Sequence, residues 1–276
     1  MFHVNSNQDG WLEKCSELVK NEGFCLVSNV VSEDDCQLGI KALNNSYSEV
    51  IDLLGISRLE KAGEQGVIRT PMHFDNYFFD LLNNKIINKL SKDLIDKSSI
   101  LHLQNGFIFP KYNANIQSSK LLESQYIFHA DFPRYMNGYV ASMNILITFT
   151  DIKAEDEIFY VIPKTHHLNF KPSQEYCHKN KISISAKAGS ILVFDSTLWH
   201  CGGPNHSKGS WFGVNHQFTK SFLKQQIDYV RLLGEETVLQ QSPRVQQMLG
   251  HYTRVVTSLD EYYQPNEKRL YRANQG

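Results

Sequence analysis

The sequence predicts a mainly β fold with flanking helices, and three observations support this. Seven short segments rich in β-branched and aromatic residues follow one another between about residues 100 and 220, with turn residues between them. Two of these segments alternate apolar and polar side chains. Helical spacing of apolar residues marks the parts of the chain before and after them. Many short strands in a row are typical of a sandwich, jelly roll or barrel.

The first third of the chain predicts helices and one short strand. Residues 9–22 carry apolar side chains on one side of a helix, and residues 77–97 show the same spacing. Between them, residues 23–31 (GFCLVSNVV) predict a strand. Ser32 then caps a second helix, because a serine oxygen can accept from the first free backbone N–H groups.

The middle of the chain supplies the predicted strands. They are 100–109, 124–132, 139–152, 157–163, 181–186, 190–196 and 211–219. Successive side chains of a strand point to opposite faces. In the third segment the apolar face holds Met143, Ile145, Ile147 and Phe149, and the other face holds Ser142, Asn144, Leu146 and Thr148. In the last segment Phe212, Val214 and Phe218 oppose Trp211, Gly213, Asn215, Gln217 and Thr219. The apolar faces can pack on helices, so the polar faces must line something wet or functional.

Length and composition limit the domain organisation and the partners. The 276 residues suit one domain, with a mostly helical part over 1–98, a β core over 99–220 and a helical part over 221–276. A net charge of −1 gives no electrostatic support for nucleic-acid binding. The five cysteines lack a CxxC spacing, which favours a reducing cytoplasm. No secretory signal or membrane-spanning apolar run is visible, so we expect no membrane partner.

A candidate metal site begins at His129-Ala130-Asp131. In a strand, residues two apart point the same way, so this imidazole and carboxylate converge. His200 follows near a glycine-rich turn. Two imidazoles and a carboxylate leave coordination positions open, which suits Fe(II) that must bind O2 and a second ligand. On these residues alone, a buried His–Asp pair with an unrelated turn histidine is an equally good interpretation.

Three longer segments carry a family resemblance. FHADF at 128–132, EIFYVIPKTHH at 157–167 and AGSILVFDSTLWHCGGPNHS at 188–207 together resemble the phytanoyl-CoA dioxygenase-like family of Fe(II)/2-oxoglutarate oxygenases. The likeness covers about residues 100–270. It implies a double-stranded β-helix, which is a cupin-like jelly roll, and His129, Asp131 and His200 as iron ligands. It also implies O2 as oxidant and 2-oxoglutarate as cosubstrate, decarboxylated to succinate and CO2 while a small organic molecule is oxidised.

The resemblance fails where the cosubstrate would be anchored. The family usually has an arginine eleven residues after the distal histidine, for the 5-carboxylate of 2-oxoglutarate, and this chain has Trp211 there. A dicarboxylate inside a barrel needs a cation or strong donors. Three hypotheses for this position stay open. In the first, another cation binds the 5-carboxylate, namely Lys208, Arg134, Lys153 or Arg69. In the second, the anchor is neutral and consists of Tyr126, Thr148 and Asn215 or Gln217. The third is a different cosubstrate or none.

Further residues are candidates for substrate or cosubstrate contacts. Gln104 and Asn105 lie on the first predicted barrel strand, where the family often contacts such ligands; a strand-end hydrogen bond is the alternative. Arg69 and His73 lie in a loop before a helix, and such loops often cover a barrel mouth. Arg134 follows Asp131 closely enough to meet an anionic ligand.

The sequence therefore predicts an Fe(II)/2-oxoglutarate-dependent dioxygenase acting on a small molecule. Related halogenases have a small residue at the carboxylate position, so the resemblance implies that Asp131 favours hydroxylation or another oxidation over halogenation. One alternative is an iron oxygenase of the same fold that does not use 2-oxoglutarate, which Trp211 motivates. A second alternative is a non-catalytic barrel that binds a metal or a ligand.

Overall fold

The computed structural model describes residues 2–113 and 126–269. The strands are β1 (His3–Asn5), β2 (Phe24–Ser28), β3 (Val67–Arg69), β4 (Ile100–Phe109), β5 (Ser142–Thr148), β6 (Phe159–Val161), β7 (Ile182–Ser183), β8 (Ile191–Asp195), β9 (His200–Gly202) and β10 (Trp211–Thr219). The α-helices are α1 (Trp11–Glu22), α2 (Glu33–Leu54), α3 (Ile56–Ala62), α4 (Tyr77–Asn83), α5 (Lys85–Leu94), α6 (Gln174–Asn180), α7 (Tyr229–Leu233), α8 (Glu235–Leu239), α9 (Pro243–Met248) and α10 (Leu259–Tyr262). Throughout this described part, every helix is too short or too polar to cross a bilayer.

Two sheets form the β core. The larger sheet has the order β1-β2-β8-β5-β10-β4-β3, and only its β1–β2 pair is parallel among the pairs described. The smaller sheet has the order β7-β6-β9 and is antiparallel. Apolar side chains of the larger sheet, such as Leu146 and Leu192, share a cluster with Val161 of the smaller sheet. This confirms the predicted jelly-roll core with flanking helices.

The outer face of the larger sheet packs on the helices. Ile145 and Ile147 of β5 are fully buried there in one cluster with Leu43 of α2 and Phe78 of α4. The predicted alternation of β5 is confirmed, because these apolar residues face the helices. The opposite, partly polar face of β5 and β10 therefore looks toward the smaller sheet.

Most predicted elements of the first third occur, with one interruption. Ser32 accepts from the backbone N of Asp35 at 3.1 Å, which confirms it as the cap of α2. The predicted helix over 77–97 is divided into α4 and α5 at Asn84, whose ψ of 127° is not helical. The Asn84 side chain accepts from the backbone N of Ile86 and of Ile87, so it caps α5.

The main local difference between the prediction and the structure lies at 124–132, where the sequence predicts a strand. Residues 124 and 125 lie outside the described residues. In the part described, the backbone forms a single bridge at His129, paired with His200 of β9. The chain therefore enters the site as an irregular segment, and hydrogen bonds of Phe128 to Gln174 and of Phe132 to Ser196 hold it on either side of the bridge.

We predict that Ile145→Ala lowers the free energy of unfolding by about 2–5 kcal/mol, because it leaves a cavity in the cluster between sheet and helices. Leu38→Ala on α2 is the control, since Leu38 is 55% exposed. Urea denaturation followed by circular dichroism measures both. A loss below about 1 kcal/mol at residue 145 would contradict the described packing.

Candidate metal centre

The two histidines are direct cross-strand partners. The backbone N of His129 donates to the carbonyl of His200 at 3.0 Å, and the backbone N of His200 donates to the carbonyl of His129 at 2.9 Å. Residues paired in this way project their side chains from the same face. The ring centroids of His129 and His200 are accordingly 4.6 Å apart.

Asp131 completes the group. Its Oδ1 lies 3.6 Å from Nε2 of His129 and 3.7 Å from Nε2 of His200. One candidate ligand atom from each side chain can be chosen so that all lie within 4.8 Å of one another. Ligand atoms about 2.1 Å from one metal ion lie roughly 3 Å apart when adjacent, so small side-chain movements suffice to bind an ion. The sequence-predicted triad is thus assembled in space.

The ring nitrogens are oriented for metal binding. Nδ1 of His129 lies 2.9 Å from the carbonyl oxygen of Ile127, and Nδ1 of His200 lies 2.9 Å from that of Leu198. A carbonyl can only accept, so each Nδ1 carries a proton, and in the neutral imidazole Nε2 keeps its lone pair on the side of Asp131. Such backbone contacts fix the tautomer and the ring orientation of metal-binding histidines.

The charges also suit a cation. Burial raises the pKa of Asp131, but the charges of His200 and His129 and the hydrogen bond from Asn144 prevail and lower it overall. Burial lowers the pKa of His200. Burial also disfavours charge on His129, but the attraction of Asp131 and the contact with Ile127 raise its pKa overall. An ionised carboxylate beside a neutral imidazole is the form that binds a metal.

A polar network holds Asp131 from the larger sheet. Nδ2 of Asn144 donates to Oδ2 of Asp131 at 2.9 Å and to Oγ of Ser196 at 2.9 Å. Because a carboxylate only accepts, this contact fixes the Asn144 amide, and its Oδ1 accepts from Nδ2 of Asn215 at 2.7 Å. Gln217 extends the network by donating to Ser142 at 3.0 Å. The polar face of β5 and β10 therefore supports the carboxylate ligand.

The triad opens into a pocket of about 450 Å³, between the two sheets and the segment before β3. This volume is in the range of small-molecule sites. Its lining combines the triad with residues of the larger sheet, the smaller sheet and the turn after α3. The lining falls into a polar part and an apolar part.

The polar part follows a row across the sheet. Arg69 of β3 lies opposite Asn105 of β4, which in turn lies opposite Asn215 of β10. Arg69 is the one arginine or lysine among the described lining residues, and two hydrogen bonds at 2.6 and 3.0 Å tie it to Glu64. Its side chain is 54% exposed, so this cation sits at the mouth of the pocket.

The apolar part, which we call the aromatic shelf, consists of Phe107, Phe109, Leu146, Phe159, Phe194 and Trp211. The Trp211 ring lies 5.3 Å from that of Phe109 and 6.3 Å from that of Phe107. Its Nε1 donates to Oγ1 of Thr148 at 2.9 Å. Trp211 is 2% exposed and is thus part of the pocket wall.

Gln104, a candidate for a ligand contact, lies away from the pocket. The Gln104 side chain lies on the outer face of the larger sheet, where its amide contacts the carbonyl of Phe78 at 3.1 Å, the backbone N of Met72 at 3.3 Å and Nε2 of His216 at 3.0 Å. Adjacent strand residues face opposite ways, so Gln104 and Asn105 could not both face the pocket. Asn105 lines it and Gln104 stabilises the helices.

Several other predicted residues are also outside the lining. Thr148 faces inward, but its hydroxyl accepts from Trp211 and donates to the carbonyl of Thr150 at 2.5 Å. Tyr126 is half-buried in the segment leading to His129. The remaining ones, which are exposed at the surface, are His73, Arg134, Lys153 and Lys208. Among the described residues, the cations proposed for cosubstrate binding are therefore reduced to Arg69 at the pocket.

Sequence reasoning missed some lining residues. His102 and Leu103 both face the pocket, because a register shift between β4 and β10 at this point inserts an extra residue in β4. Glu64 lies in the turn after α3, where no pattern singles it out. Asn144 was placed on the polar face of β5 by its alternation, and that position was the available signal for its contact with Asp131.

The sequence matches the phytanoyl-CoA dioxygenase family, PhyH, over residues 19–211. The chain belongs to the PhyH family. Among relatives, the protein Rv1501 of Mycobacterium tuberculosis (strain ATCC 25618 / H37Rv) is 40% identical over 276 residues, which is 100% of both chains. The PhyH match covers all three triad residues, so membership of an oxygenase family and a group of side chains that could hold a metal ion are found together.

Solved structures share the PhyH-type fold. The apo form of ThoJ, a non-heme monooxygenase, has a TM-score of 0.60 at 13% identity, covering 78% of this chain and 80% of its own. EctD from S. alaskensis, solved with 2-oxoglutarate and 5-hydroxyectoine, has a TM-score of 0.59 at 14% identity and covers 74% of each chain. At these identities the likeness shows the fold, and the side chains of this chain define its own site.

We predict that Asn144→Ala weakens Fe(II) binding about 10- to 100-fold, because Asp131 loses the donor that orients its carboxylate. Competition with a metal indicator under anaerobic conditions measures the affinity.

Ser196→Ala is the matched control for this prediction, since it removes a neighbour of Asn144 without touching Asp131. It should change iron affinity less than about threefold. Equal losses in both variants would show that the network acts through general stability.

Proposed function

We propose that this protein is an Fe(II)-dependent oxygenase that oxidises a small organic molecule and uses a 2-oxo acid as cosubstrate. The observation that carries the proposal is the triad of His129, Asp131 and His200, whose ligand atoms converge on a common point in the wall of the pocket. Two imidazoles and one carboxylate leave sites for further ligands on an iron ion. Zinc hydrolases more often use a third histidine or a glutamate.

The residues of this chain have distinct roles in the proposal. His129, His200 and Asp131 would hold Fe(II), which supplies the oxidising chemistry with O2. Asn144 keeps the carboxylate in place, and the pocket orients the substrate and excludes water. 2-Oxoglutarate is the cosubstrate that the family resemblance implies, and succinate and CO2 are then its products.

The second candidate is an iron oxygenase of the same fold that uses no 2-oxo acid. Trp211 and the aromatic shelf favour it, because they occupy the place where the family resemblance puts a cationic anchor. A non-catalytic barrel has less support, since the intact triad opens directly into the pocket.

We further propose a single oxygenase domain in the cytoplasm. One apolar cluster includes Leu12 of α1, Ile145 of β5 and Met248 of α9, which supports a single unit across the three parts of the chain. All five cysteines are buried and free, which suits a reducing compartment.

We predict that His129→Ala and Asp131→Ala each abolish stoichiometric Fe(II) binding and all iron-dependent oxidation, while the unfolding midpoint in urea changes little, because the ligands lie outside the main core. Iron content after desalting and circular dichroism test this. His206→Ala is the control, as His206 pairs with Glu157 away from the triad. Full iron content in either ligand variant would refute the assignment.

We predict that turnover releases one CO2 from C1 of a 2-oxo acid for each O2 consumed. Labelled 2-oxo acids and an oxygen electrode measure the ratio with the Fe(II)-loaded protein and a panel of small molecules. Substrate oxidation without any decarboxylation would favour the second candidate. With 2-oxoglutarate the shortened acid is succinate, and with another 2-oxo acid it is the acid one carbon shorter.

A further inference from the structure

The aromatic shelf reaches from the triad to the far end of the pocket. Next to the triad, the Phe159 ring stacks on that of His200 with a centroid distance of 5.5 Å and an interplanar angle of 25°, and the Phe194 ring lies 4.8 Å from it. Leu146 connects these rings to Trp211 within one apolar cluster, which Phe107 and Phe109 also contact. Any ligand group that extends from the triad along this side of the pocket meets carbon atoms.

The polar atoms at the far end are already used. The indole N–H of Trp211 is bound to Thr148, and the hydroxyl hydrogen of Thr148 is bound to the carbonyl of Thr150. Gly213 leaves room for the indole, because a Cβ there would lie 2.5 Å from Cζ2 of Trp211. The ring is therefore fixed over Gly213 and offers no donor to a carboxylate.

Arg69, the one arginine or lysine in the described lining, lies far from this end. Arg69 and Trp211 are separated by two strand spacings across the sheet and four residues along it, which is roughly 16 Å between their backbones. Glu64 also neutralises Arg69 through two hydrogen bonds. Among the residues that the structure describes, a carboxylate on the shelf would find no counter-charge, which is strongly unfavourable for a buried charge, whereas an apolar group would gain from burial.

From these contacts we infer that the shelf binds the uncharged, apolar tail of a 2-oxo monocarboxylic acid, and that such an acid is preferred to 2-oxoglutarate as cosubstrate. The inference rests on the proposed function and names the class of its cosubstrate. The reaction has the same stoichiometry as the one proposed with 2-oxoglutarate. The acid loses CO2 and takes one oxygen atom of O2 to become the acid one carbon shorter, and the other oxygen atom enters the substrate C–H bond as a hydroxyl.

The test is ligand binding to the Fe(II)-loaded protein without oxygen, so no turnover is needed. Dissociation constants are measured by titration calorimetry for 2-oxoglutarate, 4-methyl-2-oxopentanoate and phenylpyruvate, with iron-free His129→Ala as the background. We expect at least one of the apolar acids to bind ten times more tightly than 2-oxoglutarate. Tighter binding of 2-oxoglutarate by the wild type would overturn this inference and leave the proposed function standing.

Two substitutions at one position sharpen the test. Trp211→Phe keeps an apolar ring and should keep the preference, whereas Trp211→Arg places a cation on the shelf and should shift it at least tenfold toward 2-oxoglutarate. Arg69→Leu tests whether Arg69, instead of the shelf, sets the choice of cosubstrate by binding the distal carboxylate of 2-oxoglutarate. If that substitution removes a wild-type preference for 2-oxoglutarate, the anchor is Arg69 and the shelf assignment is wrong.

One outcome separates this inference from the function it rests on. If iron binds at the triad but none of the three acids binds the loaded protein, the use of a 2-oxo acid itself is refuted. The second candidate function would then replace the proposed one.

Discussion

The reciprocal pair of backbone hydrogen bonds between His129 and His200 is the contact on which the site depends. It joins an otherwise irregular segment to β9 at the residues that carry the two imidazoles. Since paired residues project from the same face, this one bridge brings together side chains that are far apart in the sequence. Asp131 then follows two residues after His129, and its carboxylate meets both Nε2 atoms.

The two faces of the larger sheet make different contacts. Its outer face packs on the helices through residues such as Ile145, which fixes the position of β5. Its inner face uses Asn144 to hold Asp131 and Asn215 to hold Asn144. A change in the outer packing would therefore move Asn144, which supports the carboxylate of Asp131.

Much of this could be predicted from the sequence, because it depends on short-range rules. The two-residue period of β5 predicted its buried and polar faces, and Ser32 predicted the start of α2. For the triad, the strand dyad and the distal histidine left two interpretations open, and the family resemblance of the segments around them favoured the metal site. Gln104 shows the limit of this reasoning, since the family resemblance pointed to both Gln104 and Asn105, whereas the alternation of β4 places only Asn105 in the pocket lining. Glu64 reaches the pocket because the turn after α3 lies beside β3, and His102 faces the pocket because of the register shift between β4 and β10. A sequence pattern reveals neither of these.

A crystal structure of the Fe(II)-loaded protein, collected at the iron absorption edge, tests most directly whether one ferrous ion binds at the triad with positions left open. We expect one anomalous peak about 2.0–2.2 Å from Nε2 of His129, Nε2 of His200 and an oxygen of Asp131, with the remaining ligands being solvent. A peak elsewhere, or one that is bound by only one of the two imidazoles, would contradict the account.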